Sequence, residues 1–236
     1  MAILTILQPD PTCPIDRFGT WLTECGVGLD TVRLWEDPVP TIDQLHDGVI
    51  LLGGRMSSHD GIDHPWIEPV GWLLAEAISR HLPVMGICLG HQILAQALGG
   101  HVAVPGPHGV EEGAVEMTLT EAAKDDPVIG CVSEGQVLMG YQSHSDAVER
   151  LPSDARLLGS STAYNYQIFR YGSAISLQFH PEASPELITQ WRVADGKSAE
   201  PFQSALKAVD RRVAHNGRRI AEAFAIQCGA SIPIAA

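Results

Sequence analysis

Two short stretches hold residue types that could do covalent chemistry together. The first is Gly86-Ile87-Cys88-Leu89-Gly90, a lone cysteine between two glycines, set where the apolar run 83–87 gives way to a helical pattern. A nucleophile on a tight turn needs such flanks. Small neighbours let the chain reverse sharply and hold the reactive residue in a strained conformation. A helix starting just after the sulfur favours its thiolate. The N–H of Leu89 is then placed to face the oxyanion formed on attack. Strand, Gly-x-Cys-x-Gly, helix is the sulfur counterpart of the nucleophile elbow. Taken alone, the pentapeptide also fits a buried core cysteine between packing glycines.

A cysteine nucleophile needs a base, and the base needs an orienter. Of ten histidines, His180 stands out in Gln178-Phe179-His180-Pro181-Glu182, directly after an apolar strand and two residues before a carboxylate. Pro181 stiffens the link between them. Alone, this stretch is equally a strand cap with a solvated Glu. An oxyanion also needs a second donor. Gly53 and Gly54 end an apolar run at 47–54, and in a parallel sheet that end would lie beside Cys88. By itself the glycine pair reads as a strand-ending turn.

The elements that must position these residues follow from periodicity. Residues 2–8, 28–35, 47–54 and 83–87 read as strands, and 15–25, 64–81 and 89–98 as helices, with Pro65 suited to a first helical turn. This alternation implies a largely parallel sheet covered by helices. After Gly100 the short strands 114–120, 136–142, 155–161, 164–171 and 173–179 suggest an antiparallel or mixed section. Helix 184–193 is expected to start on Ser184 with a capping box completed by Glu186. Residues 202–226 form a long amphipathic helix carrying Arg211, Arg212, Arg218 and Arg219, whose spacing marks a solvated face. Without repeats or linkers, the expectation is one domain over 1–194 and a helical tail over 195–236 packed on it.

The stretches LLGG, GICLGHQ and FHPE occur in that order, and together they resemble the class I (triad) glutamine amidotransferases over roughly residues 1–192. The resemblance implies a flavodoxin-like α/β fold, a three-layer sandwich with a mostly parallel central sheet. It implies Cys88 as nucleophile, His180 as base and Glu182 as orienter, with oxyanion donors from Gly54 and Leu89. Gln92 would hold the substrate, Gly53 and Arg55 would border it, and the backbone around Ser143 and His144 would receive its α-amino and α-carboxylate groups. Within the family the chain is most similar to small stand-alone members related to the amidotransferase domain of GMP synthases, a group that includes γ-glutamyl peptidases. Two positions depart from the usual pattern near the expected pocket mouth. Arg55 stands where proline is usual, and Ser145 replaces the glycine of an HGD segment.

Composition narrows the partners. With 236 residues, 45% of them apolar, and a formal net charge of −13, the chain has a substantial core and no basis for general nucleic-acid binding. Cys13, Cys25, Cys88, Cys131 and Cys228 are scattered without a CxxC pair. That suggests neither zinc nor a disulfide framework, and a reduced, cytoplasmic setting; all but Cys88 read as structural. No apolar run suits a signal peptide or a membrane span. His59, Asp60, Asp63 and His64 look metal-like, yet the expected reaction needs neither metal nor cofactor, and 63–65 suits a helix start.

The implied chemistry is hydrolysis of a γ-glutamyl amide through a thioester. It would take glutamine to glutamate and ammonia or, alternatively, release a larger amine from a γ-glutamyl amide or peptide. A catalytically silent regulatory subunit is a third reading. No GxxxxGK[ST] loop or SGGxDS-like loop occurs, and the roughly 40 residues after the triad are too few for a second catalytic domain. Passing on ammonia would therefore require a separate synthetase subunit.

Overall fold

The run Ile3–Gln8 (β1) is buried on both faces at its four central residues, as a strand inside a helix-covered sheet must be. The computed structural model describes residues 1–231. After β1 come α1 (Asp16–Glu24), β2 (Gly28–Arg33), β3 (Gly48–Leu51), α2 (Ile67–Ser79), β4 (Val84–Ile87) and α3 (Leu89–Ala97). Then follow β5 (His101–Ala103), β6 (Glu111–Leu119), β7 (Val137–His144), β8 (Ala147–Arg150), β9 (Arg156–Ser160), β10 (Ile168–Tyr171), β11 (Ala174–Leu177), α4 (Pro185–Ala194) and α5 (Phe202–Gln227). Among the described residues the main sheet has the order β2-β1-β3-β4-β11-β10-β9-β6-β7. It is parallel from β2 through β11 and antiparallel from β11 to β7.

Strand periodicity divides the core into two sides. Leu4, Ile6, Ile50, Met85 and Ile87 face α1 and α5 through Phe18, Leu22 and Phe224. Val49, Leu51 and Val84 face α2 and α3 through Val70, Leu74 and Ile93. The result is the expected α/β sandwich of three layers. The small pair β5–β8 lies outside the main sheet; with three and four residues, neither strand has enough alternation to be read from sequence.

Three local expectations are corrected. Helix α2 begins at Ile67, so Pro65 precedes it: His64 and Ile67 N–H donate to Asp60 and His64 carbonyls, and these turns consume the chain first. Residues 161–166 do not extend β10. Ser161 closes a turn there, its N–H donating to the Tyr164 carbonyl and its Oγ accepting from the Tyr164 N–H. Ser184 caps α4 by accepting from Leu187 N–H, but no capping box forms. The reciprocal position is held by Leu187, and Glu186 is one residue too early.

Helix α5 closes one face of the sheet and does more than cover it. Asp210 pairs with Arg17 at 2.8 Å and accepts from the Tyr141 hydroxyl at 2.9 Å. Arg212, Arg218 and Arg219 pair with Glu116, Glu24 and Glu222 of the same chain. At Gly217 the helix passes so close to the Pro181 carbonyl that a Cβ would collide with its oxygen. Alanine would raise helix propensity there by about 1 kcal/mol, but overpacking against fixed backbone costs about 1–3 kcal/mol. We therefore expect Gly217→Ala to lower the urea-unfolding midpoint; an unchanged or higher midpoint would remove this contact from the account.

Candidate active site

Sheet order brings the three stretches together. Strands β3, β4 and β11 are parallel neighbours. Gly53 and Gly54, Cys88, and His180 therefore all leave the same sheet edge within three residues of a strand end. Cys88 has φ 51° and ψ −104°, a positive-φ conformation that a non-glycine residue holds only under local constraint. The flanking glycines supply it. A Cβ on Gly86 would lie 2.6 Å from the Gly90 carbonyl oxygen, and one on Gly90 would strike the Leu51 carbonyl. The turn can be this tight only because both side chains are absent.

His180 and Glu182 are buried, and His180 Nδ1–H donates to Glu182 Oε1 at 2.7 Å. The His180 backbone N–H donates to the Tyr141 carbonyl, and the ring lies 4.7 Å from that of Trp191. Burial opposes a charge on this imidazole, but the Glu182 carboxylate and then the Cys88 sulfur more than offset it, raising its pKa from 6.5 to about 10. Gly53 packs between the two groups, and a Cβ there would meet His180 Cε1 at 3.0 Å and Cys88 Cβ at 3.5 Å. Gly54 abuts Leu89, and neither backbone N–H donates to an acceptor among the described residues. Both donors thus remain free beside Cys88.

A cleft of about 510 Å³ opens here, lined by Cys88, His180, Gly54, Arg55, Gln92 and Ser143, among others. Ser143 presents its carbonyl 4.0 Å from Cys88 Sγ. Gln92 is buried; its Nε2–H₂ donates to the Asp146 carbonyl at 2.9 Å and to Gln178 Oε1 at 3.2 Å. His144 reaches the cleft through its backbone, while its ring turns inward to Glu111. Arg55 pairs with Asp195, beyond the end of α4, at 2.6 Å, both half-exposed. Ser145 donates to Asp146 Oδ1 at 3.2 Å. Both departures from the usual pattern thus lie on the cleft wall.

Sequence reasoning missed several contributors. Cys13, read as structural, lines the cleft, with burial pushing its thiol pKa up. Trp191 covers His180 from a helix whose apolar stripe had no visible link to the site. Glu111 and Gln178 carried no signal, since each acts through a partner far along the chain. The stretch 59–64 forms turns: Asp60 Oδ2 accepts from the Ser57 N–H at 2.7 Å, and the His64 ring lies 5.9 Å from Trp66. Among the described residues no cluster of three or more His, Cys, Asp or Glu side chains is arranged for a metal ion. No described helix is long and apolar enough to cross a membrane.

Comparison with known proteins gives the chain's family and fold. The sequence profile of the family described as glutamine amidotransferase class-I matches residues 19–191. Gamma-glutamyl peptidase 5 of Arabidopsis thaliana is 31% identical over 169 residues, covering 70% of this chain and 66% of that protein. The chain thus spans slightly less than two thirds of that relative. One subunit of the glutamine-hydrolyzing GMP synthase of Natronomonas pharaonis is 32% identical over 166 residues, covering 67% of this chain and 77% of that one. The crystal structure of a glutamine amidotransferase from Thermotoga maritima superposes with a TM-score of 0.82 at 21% identity, covering 95% of this chain and 98% of that one, a likeness of fold.

The raised His180 pKa has a consequence for stability. Its contribution is present in full below 6.5 and is lost as pH rises through about 10. Glu182→Gln removes the largest support of that charge. The urea-unfolding midpoint should therefore fall less steeply from neutral to alkaline pH in the variant than in the wild type. Parallel curves would separate the pair from the stability of the fold.

Proposed function

The chain belongs to the class-I glutamine amidotransferase family, and from that premise we propose that it hydrolyses the side-chain amide of glutamine through a Cys88-His180-Glu182 triad. The reading rests on one juxtaposition: a cysteine in a positive-φ turn at the strand end beside a buried His–Glu pair. Cys88 passes its thiol proton to His180 as Sγ attacks the γ-carbonyl carbon, and the oxyanion accepts from the free N–H groups of Gly54 and Leu89. His180 gives its proton to the leaving nitrogen as the C–N bond breaks, which leaves a γ-glutamyl thioester and ammonia. Water, deprotonated by His180, adds to the thioester; the C–S bond breaks, and glutamate and the free enzyme result. Glu182 keeps Nδ1 protonated, so Nε2 is the nitrogen that exchanges protons. Gln92 and the backbone at Ser143 and His144 grip the glutamyl end.

A second reading is hydrolysis of γ-glutamyl amides or peptides with release of a larger amine. The cleft favours it: about 510 Å³, with charged Arg55, Asp195 and Lys197 at its wall, offers more room than ammonia uses. The name of the Arabidopsis relative points the same way. The relatives named as GMP synthase subunits support instead a separate synthetase partner that consumes the ammonia.

Mass spectrometry of products from glutamine and from a panel of γ-glutamyl amides separates these readings. Glutamine cleaved at least as fast as the amides supports the amidotransferase reading, and amides cleaved much faster support the peptidase. Activity on glutamine only after a synthetase is added identifies one component of a complex, whereas no turnover under any of these conditions leaves the silent regulatory reading. Cys88→Ala should reduce turnover by at least about 10³-fold, and His180→Ala should cost more than Glu182→Ala, because an unoriented imidazole still accepts protons. Cys131→Ala should retain most activity. A glutamine-like diazoketone that labels another cysteine and spares Cys88 would overturn the assignment.

A further inference from the structure

A second buried histidine–carboxylate pair stands behind the opposite wall of the cleft. Glu111 opens β6 and is the register partner of His144 at the end of β7. His144 Nε2 lies 3.1 Å from Glu111 Oε2, with both side chains almost fully buried. The carboxylate has two further donors: Ser161 Oγ–H reaches Oε1 at 2.7 Å, and Gln167 Nε2–H₂ reaches Oε2 at 2.6 Å. Burial opposes its charge, but the hydrogen bonds from His144, Ser161 and Gln167 hold its pKa below the usual carboxylate value. His144 Nδ1 meets the Asp146 carbonyl at 2.9 Å. Both ring nitrogens therefore face oxygen atoms.

The Asp146 carbonyl is where this pair meets the cleft, since it accepts from both His144 Nδ1–H and Gln92 Nε2–H₂. That bond decides which end of the Gln92 amide is spent on the protein. Nε2 is used by Asp146 and Gln178, while Oε1 has no hydrogen-bond partner among the described residues. Gln92 follows Cys88 by one helical turn, and its own N–H donates to the Cys88 carbonyl.

We infer that Glu111 is a positioning residue for substrate: by holding His144 against the Asp146 carbonyl, it orients the Gln92 amide so that its oxygen is offered to the glutamyl end. The inference rests on the reading that Cys88 acts on a γ-glutamyl group. Without the carboxylate, His144 Nε2 loses its charged partner, the 143–146 segment keeps only its backbone bonds to β6 and Gly106, and the Gln92 amide, left with Gln178, is held less firmly in one orientation. Cys88 is held by β4 and β11, and the His180–Glu182 pair by Trp191, helix α5 and the Tyr141 carbonyl three residues upstream of His144 in β7, so the three keep their places.

The test compares Glu111→Gln, Glu111→Asp and Ser161→Ala with the wild-type chain. For Glu111→Gln, KM for glutamine, or for the best γ-glutamyl amide, should rise about 10-fold while kcat falls less than about 3-fold. Glu111→Asp, which keeps the charge, should restore part of the loss. Ser161→Ala removes a hydrogen bond from the far oxygen and spares the His144 contact, so its KM should stay within about 2-fold of the wild type. Exchange of the Gln92 side-chain amide protons should quicken about 10-fold in Glu111→Gln.

Equal KM increases in Ser161→Ala and Glu111→Gln would reduce Glu111 to a packing residue and overturn the inference. Unchanged Gln92 exchange in Glu111→Gln would overturn it as well. Should the wild type turn over neither glutamine nor any γ-glutamyl amide, the functional reading fails by itself. The Gln92 exchange measurement then still decides whether Glu111 sets the Gln92 amide. If Glu111→Gln proves unfolded, Glu111→Asp carries the same comparison at smaller amplitude.

Discussion

Cys88 sits at a positive φ that costs an L-residue about 1–3 kcal/mol, and much of the molecule is arranged around maintaining it. The strain persists because the neighbours leave no other path. Gly86 and Gly90 have no side chains to obstruct the turn, and the Leu51 carbonyl presses on Gly90 from the adjoining strand. The Cys88 N–H is itself tied to the Leu177 carbonyl at 2.8 Å. Strands β3, β4 and β11 thus act together as a vice on one residue. Helix α3, begun at that residue, supplies the free N–H of Leu89 and a favourable field for a thiolate. A shift of any of the three strands would move Cys88, the Gly54 and Leu89 N–H groups and His180 relative to one another.

The cleft lies between two buried histidine–carboxylate pairs. His180–Glu182 stands behind the sulfur, and His144–Glu111 stands behind the segment facing it across the opening. Buried charges are costly unless paired and hydrogen-bonded, so each pair demands a specific surrounding structure. Around His180 this comes from Trp191, the Tyr141 carbonyl and helix α5 packed on Pro181. Around Glu111 it comes from Ser161 and Gln167. The two pairs are suited to different work. In the proposed reaction the first lies against the Cys88 sulfur, and its proton moves. The second meets the cleft through the Asp146 carbonyl, and its proposed work is to fix direction. At the mouth, by contrast, the Arg55–Asp195 pair is half-exposed, and pairs of that kind contribute little to stability.

How far the sequence revealed this follows from the range over which each signal acts. The tight turn at Cys88 was legible because its requirement is local: a cysteine cannot sit there without small neighbours. The His180–Glu182 pair was legible for the same reason, with partner and spacer inside three residues. The parallel half of the sheet followed from apolar runs and helical periods. Contributors set by tertiary contact were hidden. Glu111 reads as one of several acids in a polar stretch, and only the pairing of β6 with β7 brings it to His144. Trp191 fills an apolar helix position and shows no sign of covering an imidazole. Pro65 and Glu186 misled by one or two residues, since a cap is defined by where the preceding turns end.

Helix α5 ties these levels together. Its amphipathic pattern calls for an apolar surface to cover, and the sheet face that receives Phe224 and Ile220 provides it; burying side chains of that size contributes roughly 1.5–3 kcal/mol each. Covering a sheet does not by itself demand a glycine. Gly217 is needed because the surface under that turn of the helix is the Pro181 carbonyl, in the middle of the His180–Glu182 link. Asn216 beside it donates to the Met139 carbonyl, and Asp210 two turns earlier holds Tyr141, whose carbonyl receives the His180 N–H. The helix therefore packs on the backbone that follows His180 and, through the Tyr141 side chain, holds the residue whose carbonyl receives the His180 N–H. Its length follows from hydrophobic cover, and its close approach brings it onto the link between His180 and Glu182.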